Sequence, residues 1–426
     1  MNKKNGEAIF GNFMNILILG NEKYPSNRPM LIELWQKEMT MLGYRLYWVM
    51  QSSKNSFGVK VINKKNNIFY VLPNVTIKNI IYFKFISKFL NFSLKFICSL
   101  YLIKKYRIKV IHVHNGAEEG FVSLILKKIF KLKYVYTYTS HFMKGYEFIR
   151  GKNSIELGLR KIKFGLSNKL YLNNLSKSDL VFPISENLRN ELNRSFEIPL
   201  NKMMVVSESA STYFMNFSEQ SNKKMNQKIV NTDYLNLIYI GSLGKNRKID
   251  FIVDSFQILL NDFKNVQLYI LGMGETKEDI PALKKYIYEK KLQNMIFLKD
   301  RVYYYDIPEI VSQFDIGLSP IPPAGYYVFA TPTKCIEYMS LKVPVVANIE
   351  IDDQKKLIEN SGGGILTSYD VVEYANGILK LLTNDNIRKK CAESGFQWLK
   401  ENRNFKLTAK KIHSELNKQT VSLISQ

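Results

Sequence analysis

Short apolar runs alternate along the chain with longer segments whose apolar residues recur at helical spacing. Residues 15–19 (NILIL) read as a buried strand ending at Gly20, and 29–42 as a helix after it. Strand runs follow at 45–49 (RLYWV), 110–113 (VIHV), 134–139 (YVYTYT), 180–184 (LVFPI) and 203–206 (MMVV). Residues 216–233 (NFSEQSNKKMNQKIVNTD) are polar and aperiodic and are expected to be a linker. The pattern then restarts with strand runs at 235–240, 267–271, 295–298, 316–318 and 343–347, separated by helical segments. Strands alternating with helices imply parallel sheets covered on both faces. The expected architecture is α/β: two Rossmann-like, doubly wound domains facing across a cleft, one over 1–215 and one over 216–403. A final helix, 404–426, is expected to pack back on the first domain. Ligands are expected at the carboxyl ends of the strands.

The 426 residues suit two domains, and 46% hydrophobic content excludes a disordered chain. Three scattered cysteines (Cys98, Cys335 and Cys391) exclude a disulfide scaffold and point to a reducing, cytoplasmic setting. The N-terminal residues lack a long apolar core, so no secretory signal is expected.

The net charge of +24 is uneven. Residues 1–210 hold 33 basic and 13 acidic side chains, and no acid lies between Glu38 and Glu118. Such a field favours an anionic partner. Within it, 80–102 (IIYFKFISKFLNFSLKFICSLYL) mixes aromatic and aliphatic residues with Lys84, Lys88 and Lys95, followed by four more cations up to Lys109. This composition fits a helix lying in a membrane interface with its lysines at the headgroups, so 80–109 is expected to meet an anionic membrane surface. The alternative is a domain helix whose lysines snorkel from a buried stem. No nucleic-acid partner is expected, because zinc-finger spacing and RNP-like motifs are missing and Lys greatly outnumbers Arg in this region.

The most informative segment is 330–348 (ATPTKCIEYMSLKVPVVAN). A loop with Pro332 enters a helix carrying Lys334 and Glu337, and Pro344 opens a buried strand. The segment resembles the donor-binding signature of family 4 glycosyltransferases, in the subgroup that reads approximately S-P-x-K-x-x-E-Y-M-x-x-G-x-P-V-V-A. The resemblance implies that Glu337 accepts both ribose hydroxyls of the donor, and the helix-start amides of Thr333 and Lys334 suit its diphosphate. Lys342 stands at or beside the usual Gly. The resemblance covers most of 14–400, tightly in the second half and loosely in the first. It implies the GT-B fold, a nucleoside diphosphate sugar as donor, retention of anomeric configuration, and no obligatory metal or other cofactor. Asp352-Asp353, read as a solvated loop pair, is not expected to be a metal site.

Further site residues follow from the resemblance. In 239–250 (YIGSLGKNRKID), Gly241 and Ser242 are expected beside the donor, and Arg247 and Lys248 are expected to clamp its diphosphate. Gly272 and Gly274 form the turn expected beside base and diphosphate, and Arg301-Val302 the segment that reads the base. The glutamate that relatives often carry eight positions before Glu337 is Phe329 here. In the first half, 137–141 (TYTSH) resembles the family's T-x-H segment and makes His141 the foremost catalytic candidate there. Gly20 and His114 are acceptor-side candidates, with Lys23 and Arg28 as possible charge near Gly20. His112 and His114 are expected on opposite faces of their strand. Glu208 is noted without a role.

The expected function is transfer of a sugar to a lipid-linked glycan at the inner membrane surface, as in cell-surface polysaccharide, O-antigen or capsule assembly. Two alternatives stay open: a sugar-nucleotide epimerase on the same scaffold, and a non-catalytic membrane or nucleic-acid binder with a degenerate donor site.

Overall fold

The computed structural model describes residues 14–54, 56–74, 81–149, 153–220 and 228–424. The N-terminal decapeptide, part of the expected linker, residue 80 and the last two residues lie outside them.

The first half begins with β1 (Met14–Tyr24), a π-type helix (Met30–Met39), β2 (Tyr44–Ser52), β3 (Lys60–Lys64) and β4 (Asn67–Leu72). It continues through α1 (Ile81–Tyr106), β5 (Val110–His114), α2 (Ala117–Phe130), β6 (Lys133–Tyr138), α3 (Ser154–Lys177), β7 (Leu180–Pro183), α4 (Glu186–Phe196) and α5 (Thr212–Glu219). The sheet order is β3-β4-β2-β1-β5-β6-β7, parallel except for the β3–β4 pair. The β3–β4 hairpin was not expected, because its polar, lysine-rich first strand has the solvated pattern of an edge. Residues 203–206 do not form the expected strand: only Met203 bridges to Val181, with Met204 and Val206 donating to the Val181 and Pro183 carbonyls.

The second half contains β8 (Leu235–Ser242), α6 (Ile249–Asp262), β9 (Val266–Met273), α7 (Asp279–Glu289), β10 (Ile296–Lys299), α8 (Ile307–Val311) and β11 (Ile316–Ser319). Then come α9 (Thr333–Ser340), β12 (Val345–Asn348), α10 (Asp352–Ser361), β13 (Gly364–Thr367), α11 (Val371–Thr383), α12 (Asp385–Asn402) and α13 (Phe405–Ile424). The all-parallel sheet runs β10-β9-β8-β11-β12-β13. Apart from β3, both sheets share the doubly wound order 3-2-1-4-5-6, with switch points between β1 and β5 and between β8 and β11.

Strands buried on both faces explain the unbroken apolar runs. In β1, Leu17 and Leu19 join the core under α1 and α2, while Ile16 and Ile18 join the core on the other face. That second core is completed by Phe405, Ala409, Ile412 and Leu416 of α13, which therefore packs back on the first sheet as expected. The Tyr44 hydroxyl hydrogen-bonds His413 Nδ1 at 2.9 Å across the same contact.

Helix α1 corrects the expected placement of one lysine. Lys95 is turned inward to pair with Glu119 of α2, while Lys88, 3.8 Å from Glu118, and Lys104, Lys105, Arg107 and Lys109 are exposed. The side chain of Lys84 lies outside the described residues. Phe89, Leu90, Ile97 and Tyr101 of α1 are exposed as well, and α3 adds Leu159, Ile162 and Leu166. Among the described residues, no helix is long and apolar enough to cross a membrane.

The two halves are tied together around residue 403. The Arg403 guanidinium binds Asp353 bidentately at 3.0 and 2.8 Å and Thr331 Oγ1 at 2.8 Å, and its Nε donates to the Glu208 carbonyl at 2.9 Å. Asp353 is thus a paired carboxylate in the first turn of α10, not a solvated loop residue. Phe329 and Val328 dock on the first half through their carbonyls, which accept from Ser185 Oγ (2.9 Å) and Asn187 Nδ2 (3.0 Å).

Candidate active site between the two sheets

A cavity of about 630 Å³ opens between the carboxyl ends of the two sheets. Nine residues expected at the donor line it together: Gly241, Ser242, Arg247, Gly272, Arg301, Val302, Thr333, Lys334 and Glu337. The opposite wall comes from the first half, chiefly Arg28, Thr139, Ser140 and Glu208.

The glycines have steric reasons. Gly241 and Gly272 face each other in the β8–β9 register, and a Cβ on Gly272 would overlap the Gly241 carbonyl. A Cβ on Gly241 would stand 3.1 Å from Lys334 Cε, so the glycine lets that lysine cross the strand end. Lys334 Nζ rests 5.0 Å from the Tyr239 ring centroid. Burial, with the Arg247 charge nearby, brings its ammonium down to about 8. Arg247 lies 4.5 Å over the Tyr327 ring, and its buried Nε has no protein partner. Two cations meeting in one recess, one with an unused donor, form a place for an anion.

Glu337 projects from α9 into the same cavity. Burial and the Glu208 carboxylate push it up to about 8, against the opposing pull of Lys334. Glu208 is held up at about 7 by burial, offset by Arg28 and Arg403, and its Oε2 is buried without a partner. Two carboxylates from different halves thus face one recess, each opposing ionisation of the other. Glu208 is the residue that sequence reasoning passed over. Its signal was a charged residue inside an otherwise small and apolar segment, 205–211 (VVSESAS).

Other expectations change. The Thr333 amide already donates to the Thr331 carbonyl at 3.0 Å, so Thr333 lines the cavity without offering that donor. Ser242 Oγ is engaged with Glu275 Oε1 at 2.9 Å. Gly274 lies outside the main cavity, where a side chain would meet Asp279, whose carboxylate caps the amides of Glu275 and Thr276. His141 does not reach the cavity. Its ring is fully buried, 4.9 Å from Phe329 and 5.9 Å from Phe196, and burial lowers it to about 4. Phe329, standing where relatives often place a glutamate, is the residue that covers it.

On the first sheet, Gly20 and His114 are paired in the β1–β5 register and neither lines the main cavity. His112 and His114 share a face, with ring centroids 6.5 Å apart, because residues two apart on a strand point the same way. His112 stacks on Trp35 at 4.0 Å and hydrogen-bonds Thr137. His114 is buried with neither ring nitrogen partnered, and burial together with Arg28 and His112 holds it well below its usual range. Lys248 is exposed, faces a separate cavity between α6 and α7, and opens α6 in the left-handed region at φ +51°. Lys248→Gly is therefore expected to leave turnover within about twofold of the parent and to raise folding stability by up to about 1 kcal/mol. Urea melts and steady-state rates measure both, and a large loss of rate would restore Lys248 to the site.

Among the described residues, no cluster of three His, Cys, Asp or Glu side chains could hold a metal ion. The arrangement can bind an anion beside a group rich in hydroxyls.

Residues 235–384 match the family described as "Glycosyl transferases group 1", and residues 35–209 match "Glycosyltransferase Family 4". An uncharacterised glycosyltransferase of Methanocaldococcus jannaschii is 26% identical over 365 residues, 80% of each chain. A capsular polysaccharide biosynthesis glycosyltransferase of Staphylococcus aureus is 23% identical over 222 residues, 50% of this chain and 55% of that one. Sucrose-phosphate synthase from Thermosynechococcus elongatus superposes with a TM-score of 0.74 at 13% identity, over 96% of this chain and 100% of that one. Anabaena HepE, solved with UDP and glucose, gives 0.67 at 15% identity over 95% and 100%. Two family patterns in tandem, each on its own doubly wound sheet, establish that the chain belongs to the family 4 glycosyltransferases and has the GT-B fold.

Proposed function

We propose that this glycosyltransferase moves a sugar, with retention, from a nucleoside diphosphate donor to a lipid-linked glycan at a membrane surface. The observation that carries the reading is the meeting of Arg247, Lys334 and Glu337 in one cavity between the sheets. Arg247 and Lys334 hold the diphosphate, and Glu337 accepts the ribose hydroxyls. As the glycosidic bond breaks, negative charge grows on the departing phosphate, and preorganised cations stabilise that change more than they stabilise the bound donor. Attack from the leaving-group side delivers the acceptor proton to a phosphate oxygen, so no protein base is assigned and no metal is required. His141 is left with a positioning role at most, through Phe329.

Support for the donor class comes from the neighbour solved with UDP and glucose. Support for a polymer-type acceptor comes from the Staphylococcus aureus capsule relative and from the poly(glycerol-phosphate) glucosyltransferase of Bacillus subtilis, 22% identical over 47% of this chain and 29% of that one. The exposed apolar residues of α1 and α3, beside Lys161 and Lys163, favour a bilayer surface as the docking place.

The test is a thermal-shift screen with UDP-, GDP-, ADP- and CMP-sugars. One base is expected to raise the melting temperature in proportion to the logarithm of its concentration, because only the native state binds it. Failure of all four overturns the donor assignment. Equal turnover on water-soluble and lipid-linked acceptors counts against the membrane part.

A further inference from the structure

We propose that the first sheet carries a second binding site, for a neutral saccharide, and that this site holds the acceptor glycan at a distance from the reacting hydroxyl. The inference rests on the glycosyltransferase reading with a glycan acceptor. The site is a cavity of about 370 Å³ that shares no residue with the main one. Its volume falls within the range of roughly 300–1,000 Å³ typical of small-ligand sites. It lies at the carboxyl ends of β1, β2 and β5, beside the switch point of the sheet, and is roofed by α1, α2 and α3.

The lining selects the ligand class. Its two lysines and two glutamates neutralise one another: Lys95 pairs with Glu119, and Lys88 stands 3.8 Å from Glu118. With its cations already matched, the cavity suits neither a phosphate nor a nucleotide, in contrast to the recess of Arg247 and Lys334. What it offers instead are the amides of Asn21, Gln51 and Asn91. The Asn91 Oδ1 is buried with no partner, an acceptor that a ligand hydroxyl would satisfy. Phe92 and Tyr171 line it as well, aromatic side chains of the kind that pack on the C–H face of a pyranose. Amides, paired charges and aromatic faces without net charge are the complement of a polyhydroxylated, uncharged molecule.

Position gives the site its role. The Tyr171 ring stacks on Phe142 at 5.3 Å and 14°, and Phe142 lines the main cavity. One aromatic pair therefore separates the two cavities. Its walls include parts of α1 and α3, the helices that carry the exposed apolar residues. A glycan seated there has one end directed to the transfer point and the other to the surface where its lipid would lie.

The experiment titrates the full chain with maltotriose, cellotriose and chitotriose by calorimetry. Inorganic phosphate and trigalacturonic acid serve as anionic probes, and UDP, GDP, ADP and CMP are titrated separately. Two variants accompany it: Asn91→Leu, which removes the unpartnered acceptor, and Ser167→Trp, which fills the cavity from α3. At least one neutral trisaccharide is expected to bind, each variant to weaken it by about tenfold or more, and the affinity of the nucleotide that binds to stay within about twofold. Absence of any trisaccharide binding overturns the proposal, as do variants that bind the sugar like the parent or a preference for the anionic probes. Failure of all four nucleotides to bind the parent chain, with the trisaccharide arm intact, overturns the donor reading and leaves this site standing.

Discussion

Arg247→Ala is expected to lower kcat for sugar transfer by about a thousandfold, roughly 4 kcal/mol, with a much smaller change in donor KM. Arg247 is the cavity's cation with an unused buried donor, held in place by the Tyr327 ring at 4.5 Å. Its guanidinium needs no reorganisation when charge develops on the leaving diphosphate, and the surrounding protein keeps that interaction poorly screened. Arg247→Lys keeps the charge but loses the planar stacking and the second donor, so it is expected to recover only part of the rate. Steady-state kinetics with the base identified in the donor screen measure the split. A variant with raised KM and unchanged kcat would show that Arg247 contributes binding alone.

The second large effect is at Glu337. Glu337→Ala is expected to weaken UDP binding by about a hundredfold, close to 3 kcal/mol, because a buried carboxylate accepting two hydroxyls contributes roughly 1.5 kcal/mol per charged hydrogen bond. The pH dependence is diagnostic. The free site holds Glu337 and the Lys334 ammonium both at about 8. Ionisation of Glu337 through that value strengthens the ribose contact while loss of the Lys334 charge weakens the hold on the diphosphate, so affinity in the parent chain should rise with pH relative to Glu337→Gln, which keeps only the Lys334 decline. Folding stability moves in the opposite direction. The folded chain keeps a proton that the unfolded carboxyl, with an ordinary value of 4.5, has already released, so stability declines as pH climbs from there towards 8. Calorimetry across this window, together with melts of the parent and the Gln variant, tests both signs. Affinity profiles of the same shape in the parent and the Gln variant would remove Glu337 from the ribose.

The fold was legible where pattern and chemistry agreed. Apolar runs such as 15–19, 235–240 and 267–271 became central strands because a parallel sheet covered on both faces leaves no polar positions to break them. β3 and β13 escaped because an edge strand is short and solvated on one side, so its residues carry no distinct period. Lys248 and Lys342 show a different limit. Lys342 stands at or beside the position where relatives usually have glycine, and both lysines adopt the left-handed region, at φ +51° and +57°. Lys248 was read as catalytic when its position is a backbone turn, while Lys342 ends α9 and turns its ammonium to Glu393 at 2.7 Å.

The proposed donor side could be read from one contiguous motif because a helix start, a lysine and a glutamate one turn later are fixed relative to each other by helix geometry. The grouping of Thr333, Lys334 and Glu337 in one cavity, and the family itself, were legible in the sequence alone. The first-half contribution depended on which loops the second half meets. His141, between the cavity-lining Ser140 and Phe142, was turned away beneath Phe329, while Glu208, from a segment without a recognisable motif, was brought to face Glu337. That choice belongs to tertiary structure, because the Arg403 tie, the docked Phe329 carbonyl and the return of α13 set how the two sheets face each other. Local sequence specifies each half of the recess, and only long-range packing selects which side chains close it.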